Sequence, residues 1–123
     1  MAKVLVVDDS KLSRLMHANT IRGLGHDVYE ANNGESAFEL FQKISPDLVV
    51  TDLLMPHMSG AELIQRLREL TPELPVVVIS ADVQQTSREY CRQLGANAFF
   101  NKPLRADDLA TYLDGLFCTG GAK

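Results

Sequence analysis

Leu48-Val49-Val50-Thr51-Asp52 is the stretch on which the fold turns: four uncharged residues that favour a pleated strand stop abruptly on a carboxylate. An apolar run without polar alternation has no solvent face, so it belongs in the middle of a parallel sheet with helices over both sides. Working outward, Val4-Leu5-Val6-Val7 and Val76-Val77-Val78-Ile79 are apolar throughout and are also placed centrally. Val28-Tyr29-Glu30-Ala31 alternates, which puts it at one edge. Ala98-Phe99-Phe100-Asn101 carries a polar residue and follows the turn-like Gly95-Ala96-Asn97, which puts it at the other edge.

Between these runs apolar residues recur at helical spacing. Ala37, Leu40, Phe41 and Ile44 mark a second helix, and Leu63, Ile64, Leu67 and Leu70 a third. The first helix is read with Leu12, Met16, Ile21 and Leu24 on its inner side and Gly25 as its stop; the last uses Leu109, Leu113 and Leu116. The fourth segment, from about Gln84 to Leu94, has only Tyr90, Cys91 and Leu94 to bury, so it is expected to shift cheaply. Strands alternating with helices define an α/β chain. The expected architecture is a doubly wound five-stranded parallel sheet of order 2-1-3-4-5 flanked by five helices, one domain over residues 1–118 with 119–123 as a disordered tail or the start of a linker.

Size and composition agree with a single globular domain: 123 residues, 46% hydrophobic and 23% charged. A formal charge of −4 offers no footprint for a phosphate backbone, which argues against direct nucleic-acid binding. No apolar run approaches the roughly 20 residues of a membrane span, and Met1-Ala2-Lys3 enters a strand without a leader layout. The expectation is a cytoplasmic protein without a membrane role. Cys91 and Cys118 are too few and too isolated for a metal knuckle or a disulfide framework.

In an open doubly wound sheet, ligands bind beyond the carboxyl ends of the strands where strand order reverses, here between the first and third strands. The first strand ends in Asp8-Asp9 and the third in Asp52, so three carboxylates are delivered to one crevice. Crowded carboxylates raise a pKa or recruit a cation, and an all-oxygen set suits a hard ion such as Mg²⁺. Asp9 and Asp52 are read as direct ligands, Asp8 as holding a coordinated water, and the backbone carbonyl of Leu54 as completing the site. An Asp-Asp pair at a strand end is also a common helix cap, so the pair alone does not establish a metal site. Ser80 after the fourth strand and Lys102 after the fifth add a hydroxyl and an ammonium. Together with a cation they form a cradle for a tetrahedral dianion, and Asp52 is a ready carboxylate nucleophile.

Taken together, Val6-Val7-Asp8-Asp9, the run Asp47 to Pro56 with Gly60, Val78-Ile79-Ser80-Ala81, and Gly95-Ala96 leading to Lys102-Pro103-Leu104 resemble the receiver domains of bacterial response regulators, over about Lys3 to Phe117. The resemblance implies a flavodoxin-like fold in which Asp52 takes a phosphoryl group from a histidine kinase, a phosphotransfer protein or a small phosphodonor. It implies Mg²⁺ at Asp8, Asp9 and Asp52, Ser80 on a phosphoryl oxygen, Lys102 paired with the phosphoryl group, and a cis Lys102-Pro103 peptide. Ser80 and Phe99 would form the switch, with Phe99 in place of the commoner Tyr and so without a phenolic hydrogen bond; a plain core Phe is the alternative.

The output surface would be the fourth helix, fifth strand and fifth helix, meeting a downstream protein or a second receiver in a phosphorylation-dependent dimer. The domain would be regulatory rather than an enzyme, catalysing only its own phosphorylation and acyl-phosphate hydrolysis. Leu54 and Asp82, flanking Asp52 and Ser80, would set the hydrolysis rate, with apolar Leu54 slowing it. His17, His26 and His57 are assigned no role. Two rivals are an aspartyl-nucleophile phosphatase and a flavin binder. The first needs an acid-base Asp where this chain has Leu54; the second needs a Gly- and Ser/Thr-rich loop after the first strand, which is missing.

Overall fold

The computed structural model describes residues 2–53, 58–81, 85–102 and 105–121, with side chains as far as Leu116. Its elements are β1 (Lys3–Val7), α1 (Lys11–Gly23), β2 (Asp27–Ala31), α2 (Gly34–Ile44), β3 (Leu48–Thr51), α3 (Gly60–Leu70), β4 (Val76–Ser80), α4 (Gln85–Leu94), β5 (Ala98–Asn101) and α5 (Ala106–Gly121). The five strands form one sheet of order β2-β1-β3-β4-β5 with every neighbouring pair parallel, the order expected from the sequence. The backbone of α5 stays helical to Gly121, beyond the point where the sequence places the start of the tail.

Alternate residues of the central strands feed two cores, the period-two consequence of the pleat. Leu5, Val7, Val49, Val76 and Val78 pack with Ala37, Leu63, Ile64, Leu67 and Cys91 from α2, α3 and α4. On the opposite face Val4, Val6, Leu48, Val50, Val77 and Ile79 pack with Ile21, Leu109 and Leu113 from α1 and α5. Every residue of β3 and β4 is buried, whereas β5 is half-buried along its length.

Three helix faces differ from the sequence reading. The inner face of α1 is His17, Ala18 and Ile21, while Leu12 and Met16 are 71% and 53% exposed. At 100° per residue, Leu12 lies half a turn round the helix from Ile21, so the two cannot share a face. Leu70, the final residue of α3, projects past the core at 55% exposure. Tyr90 is also exposed because neighbouring Cys91 occupies the inward phase of α4. Gly25 ends α1 as expected, with φ of 97° and its N–H on the Arg22 carbonyl. Among the described residues no helix is long and apolar enough to cross a membrane.

Candidate functional site

The register of the central strands brings the acidic residues together. Val7 lies opposite Thr51, so β1 and β3 stop level with each other. The Asp52 N–H then donates to the Val7 carbonyl at 2.9 Å, and the Asp8 N–H to the Ala31 carbonyl at 3.1 Å. One carboxylate oxygen from each of Asp8, Asp9 and Asp52 lies within 4.8 Å of the others. Asp8 and Asp52 are buried, at 2% and 7% exposure, while Asp9 faces solvent.

Helix capping does not explain the acidic pair. The N-cap of α1 is Ser10, whose Oγ accepts the Ser13 N–H. Asp8 Oδ1 accepts the Ser10 N–H at 2.9 Å, a local turn that aims the carboxylate along the crevice, and Asp9 is left facing it.

Lys102 ties the buried acids together, its Nζ standing 3.0 Å from Asp8 Oδ2 and 3.1 Å from Asp52 Oδ2. It is carried there by the end of β5, where the Lys102 N–H donates to the Ser80 carbonyl at 2.8 Å. The remaining Asp52 oxygen, Oδ1, accepts the Leu53 N–H at 2.7 Å. Burial pushes the Asp52 carboxyl above its ordinary value; Lys102 and the Leu53 amide oppose this, and the Asp8 charge adds to it. For Lys102, burial favours the neutral amine, but the bonds and charges of Asp8 and Asp52 outweigh it and raise the pKa, so the ammonium persists. A partly dehydrated all-carboxylate set with one ammonium on two of its oxygens fits a hard divalent cation.

Gly60 shows how tightly α3 is seated against this strand end. Its N–H donates to the Leu53 carbonyl at 2.8 Å, and a Cβ there would overlap the Asp52 carbonyl oxygen. Ser80, fully buried, closes β4 beside Asn101. Phe99 pairs in register with Val78 and is half-buried against the core under α3 and α4. The Leu54 carbonyl, Asp82, His57 and the Pro103 side of the expected cis peptide lie outside the described residues.

Several contributors escaped the sequence reading. Arg14 and Arg22 of α1 converge on Glu30 of β2, at 3.2 and 3.0 Å. Arg68 of α3 donates to the Gly95 carbonyl and to Asn97 Oδ1, fastening the turn before β5. Arg88 stands over the Phe99 ring at 5.1 Å and donates to Asn101 Oδ1 at 3.0 Å. A groove of about 340 Å³ beside it is lined by Gln85, Arg88, Arg92, Asn97 and Phe99. His17 is buried at 7% exposure; burial holds its pKa down, Asp8 opposes that, and Lys102 reinforces it. The legible signal for the α1 network was Glu30 itself, an acid sharing a strand face with Val28, whose side chain packs in the core beneath α1.

Sequence relatives include the sensor histidine kinase RcsC of Salmonella typhi, 35% identical over 86% of this chain but only 11% of that protein. The chain thus spans about a tenth of such kinases. The chemotaxis protein CheY of Thermotoga maritima is 35% identical over 84% of this chain and 87% of its own length. Among solved structures, chemotaxis protein CheY4 of Vibrio cholerae superposes with a TM-score of 0.88 at 29% identity, covering 93% of this chain and 97% of that one. The response regulator receiver domain family matches residues 4–114, and with the strand order and clustered acids above, the chain belongs to that family.

Proposed function

We propose that this receiver domain is a phosphoacceptor switch in which Asp52 takes a phosphoryl group in the presence of Mg²⁺ held by Asp8, Asp9 and Asp52, with the Leu54 carbonyl as a further ligand. The observation that carries this reading is the meeting of those carboxylates within 4.8 Å, with Lys102 spanning Asp8 and Asp52. When bound, the cation supplies positive charge against the oxygens of the incoming group.

Everything else falls to groups of the chain itself. Lys102 leaves an Asp52 oxygen, whose lone pair attacks phosphorus. The bond from phosphorus to the donor's histidine nitrogen or carboxylate oxygen breaks, and the leaving group keeps its electron pair. The Leu53 amide holds the other Asp52 oxygen in place. Lys102 and the Ser80 hydroxyl then take phosphoryl oxygens, which is charge neutralisation and positioning rather than acid-base chemistry. The donor is a sensor histidine kinase, a phosphotransfer protein or a small phosphodonor. Autophosphorylation and slow hydrolysis, with Leu54 unable to orient water, are its only catalysis.

Movement of Ser80 toward the phosphoryl group makes room for Phe99, and the α4, β5 and α5 face changes its affinity for a downstream protein or a second receiver. Residues 1–118 make up the switching unit. The test is incubation with acetyl phosphate and Mg²⁺ followed by intact mass. The wild type gains one phosphoryl group and Asp52→Ala gains none; a wild type that stays unmodified, or an equally modified Asp52→Ala, contradicts the reading.

A further inference from the structure

The loop that carries Asp8 and Asp9 leaves the sheet before its backbone is fully paired. β1 stops at Val7, and although the Asp8 N–H still reaches the Ala31 carbonyl, the Asp8 carbonyl lies past the last strand pairing. Arg14 takes it, one guanidinium nitrogen donating at 2.8 Å. The same guanidinium places Nε 3.2 Å from Glu30 Oε1, and Arg22 holds Glu30 Oε2 at 3.0 Å. Arg14 and Glu30 are largely buried, with side-chain exposures of 16% and 24%, so the pair is better shielded than an ordinary surface ion pair.

We infer that Arg14, oriented by Glu30, is a positioning residue for the cation site: it fixes the Asp8 carbonyl and thereby the direction in which Asp8 and Asp9 present their carboxylates. This rests on the proposed Mg²⁺ site. A planar donor that bonds a carbonyl and a carboxylate at once is what guanidinium geometry provides and a lysine ammonium does not reproduce. Backbone and side chain of the loop are then held at three points: the Asp8 N–H by Ala31, the Asp8 carbonyl by Arg14, and Asp8 Oδ1 by the Ser10 N–H.

Positioning and simple charge predict opposite signs, which makes the inference testable. Arg14 is a cation near a cation site, so by Coulomb repulsion alone Arg14→Ala would tighten Mg²⁺ binding. Through lost positioning it weakens binding by about tenfold, the lower end of what loss of a hydrogen bond outside the ligand set costs. The experiment is a Mg²⁺ titration followed by amide NMR, with hydrogen exchange of the Ser10 amide measured in the metal-free proteins. Arg14→Ala is expected to raise Kd and speed Ser10 exchange, Arg14→Lys to recover part of both, and Arg22→Ala, which disturbs only the outer half of the network, to change stability without moving Kd. Binding as tight as wild type or tighter in Arg14→Ala overturns the inference. A wild type that shows no Mg²⁺-dependent shift removes the metal reading instead; the exchange measurement then decides alone, and unchanged Ser10 exchange in Arg14→Ala overturns the clamp.

Discussion

The carboxylate crevice and the α4–β5 face are built in opposite ways. At the crevice Asp8 and Asp52 are buried, and both oxygens of each side chain have donors. On the α4–β5 face, Cys91 is the sole buried residue of α4 among the described residues, β5 is half-buried throughout, and Arg88 covers Phe99. Carboxylates proposed to hold a cation and take a phosphoryl group are best in place beforehand, because reorganising them adds to the barrier. A surface that reports the event needs the reverse: few buried contacts, so that a small push moves it.

The largest effect that would break this contrast is at Gly60. A methyl group there collides with the Asp52 carbonyl and stands 2.9 Å from Leu53 Cα, so Gly60→Ala is expected to cost about 1–3 kcal/mol in denaturant unfolding and to depress phosphoryl uptake. Gly115, at an exposed position of α5 with nothing within 4 Å, gives the control: Gly115→Ala should stabilise by about 1 kcal/mol through helix propensity alone. If Gly60→Ala were as harmless as Gly115→Ala, the strand end would be looser than described.

Asp52 sharpens the contrast from the electrostatic side. Its carboxyl pKa is raised, by burial first, so the metal-free folded state holds its proton more tightly than the unfolded state does. Stability contributed by this group is therefore present below the unfolded value of 3.8 and lost as pH rises through the folded value, which makes ionised Asp52 a liability at neutral pH. Asp52→Asn removes the charge and leaves one oxygen where there were two, so it keeps an acceptor for Leu53 or for Lys102 but not for both. Its metal-free Tm should exceed that of wild type at pH 7, with the gap closing as the pH falls toward 3.8 or as Mg²⁺ is added. A lower Tm at neutral pH would mean that the pair with Lys102 outweighs the burial.

The smallest effect lies on the α4–β5 face. Arg88→Ala removes the cation over Phe99 and the bond to Asn101, so it should cost about 0.5–1 kcal/mol and leave the rate of phosphoryl uptake unchanged. Slower uptake would show that the two regions are coupled before phosphorylation.

Strand order and the convergence of Asp8, Asp9, Asp52 and Lys102 were legible because a doubly wound sheet sends every strand end to one side, so a residue's place after a strand is already a position in space. The faces of α1 were not legible in the same way. Leu12 and Met16 are apolar and one turn apart, but they are out of phase with Ile21, and the inner phase is taken by a buried His17, a residue whose polarity does not mark it as core. Arg14 with Glu30 and Arg68 with Gly95 escaped for a related reason: each joins side chains or carbonyls from different elements, 16 and 27 residues apart, and only the packed geometry brings them within reach.

The most direct measurement is amide hydrogen exchange of the wild type with and without Mg²⁺ and beryllium fluoride, a mimic of the phosphoryl group proposed for Asp52. Altered exchange at the ends of β1 and β3 together with α4 and β5, from Arg88 to Asn101, is the predicted result. Changes confined to the crevice, with α4 and β5 exchanging as before, would contradict the division into a fixed site and a movable face.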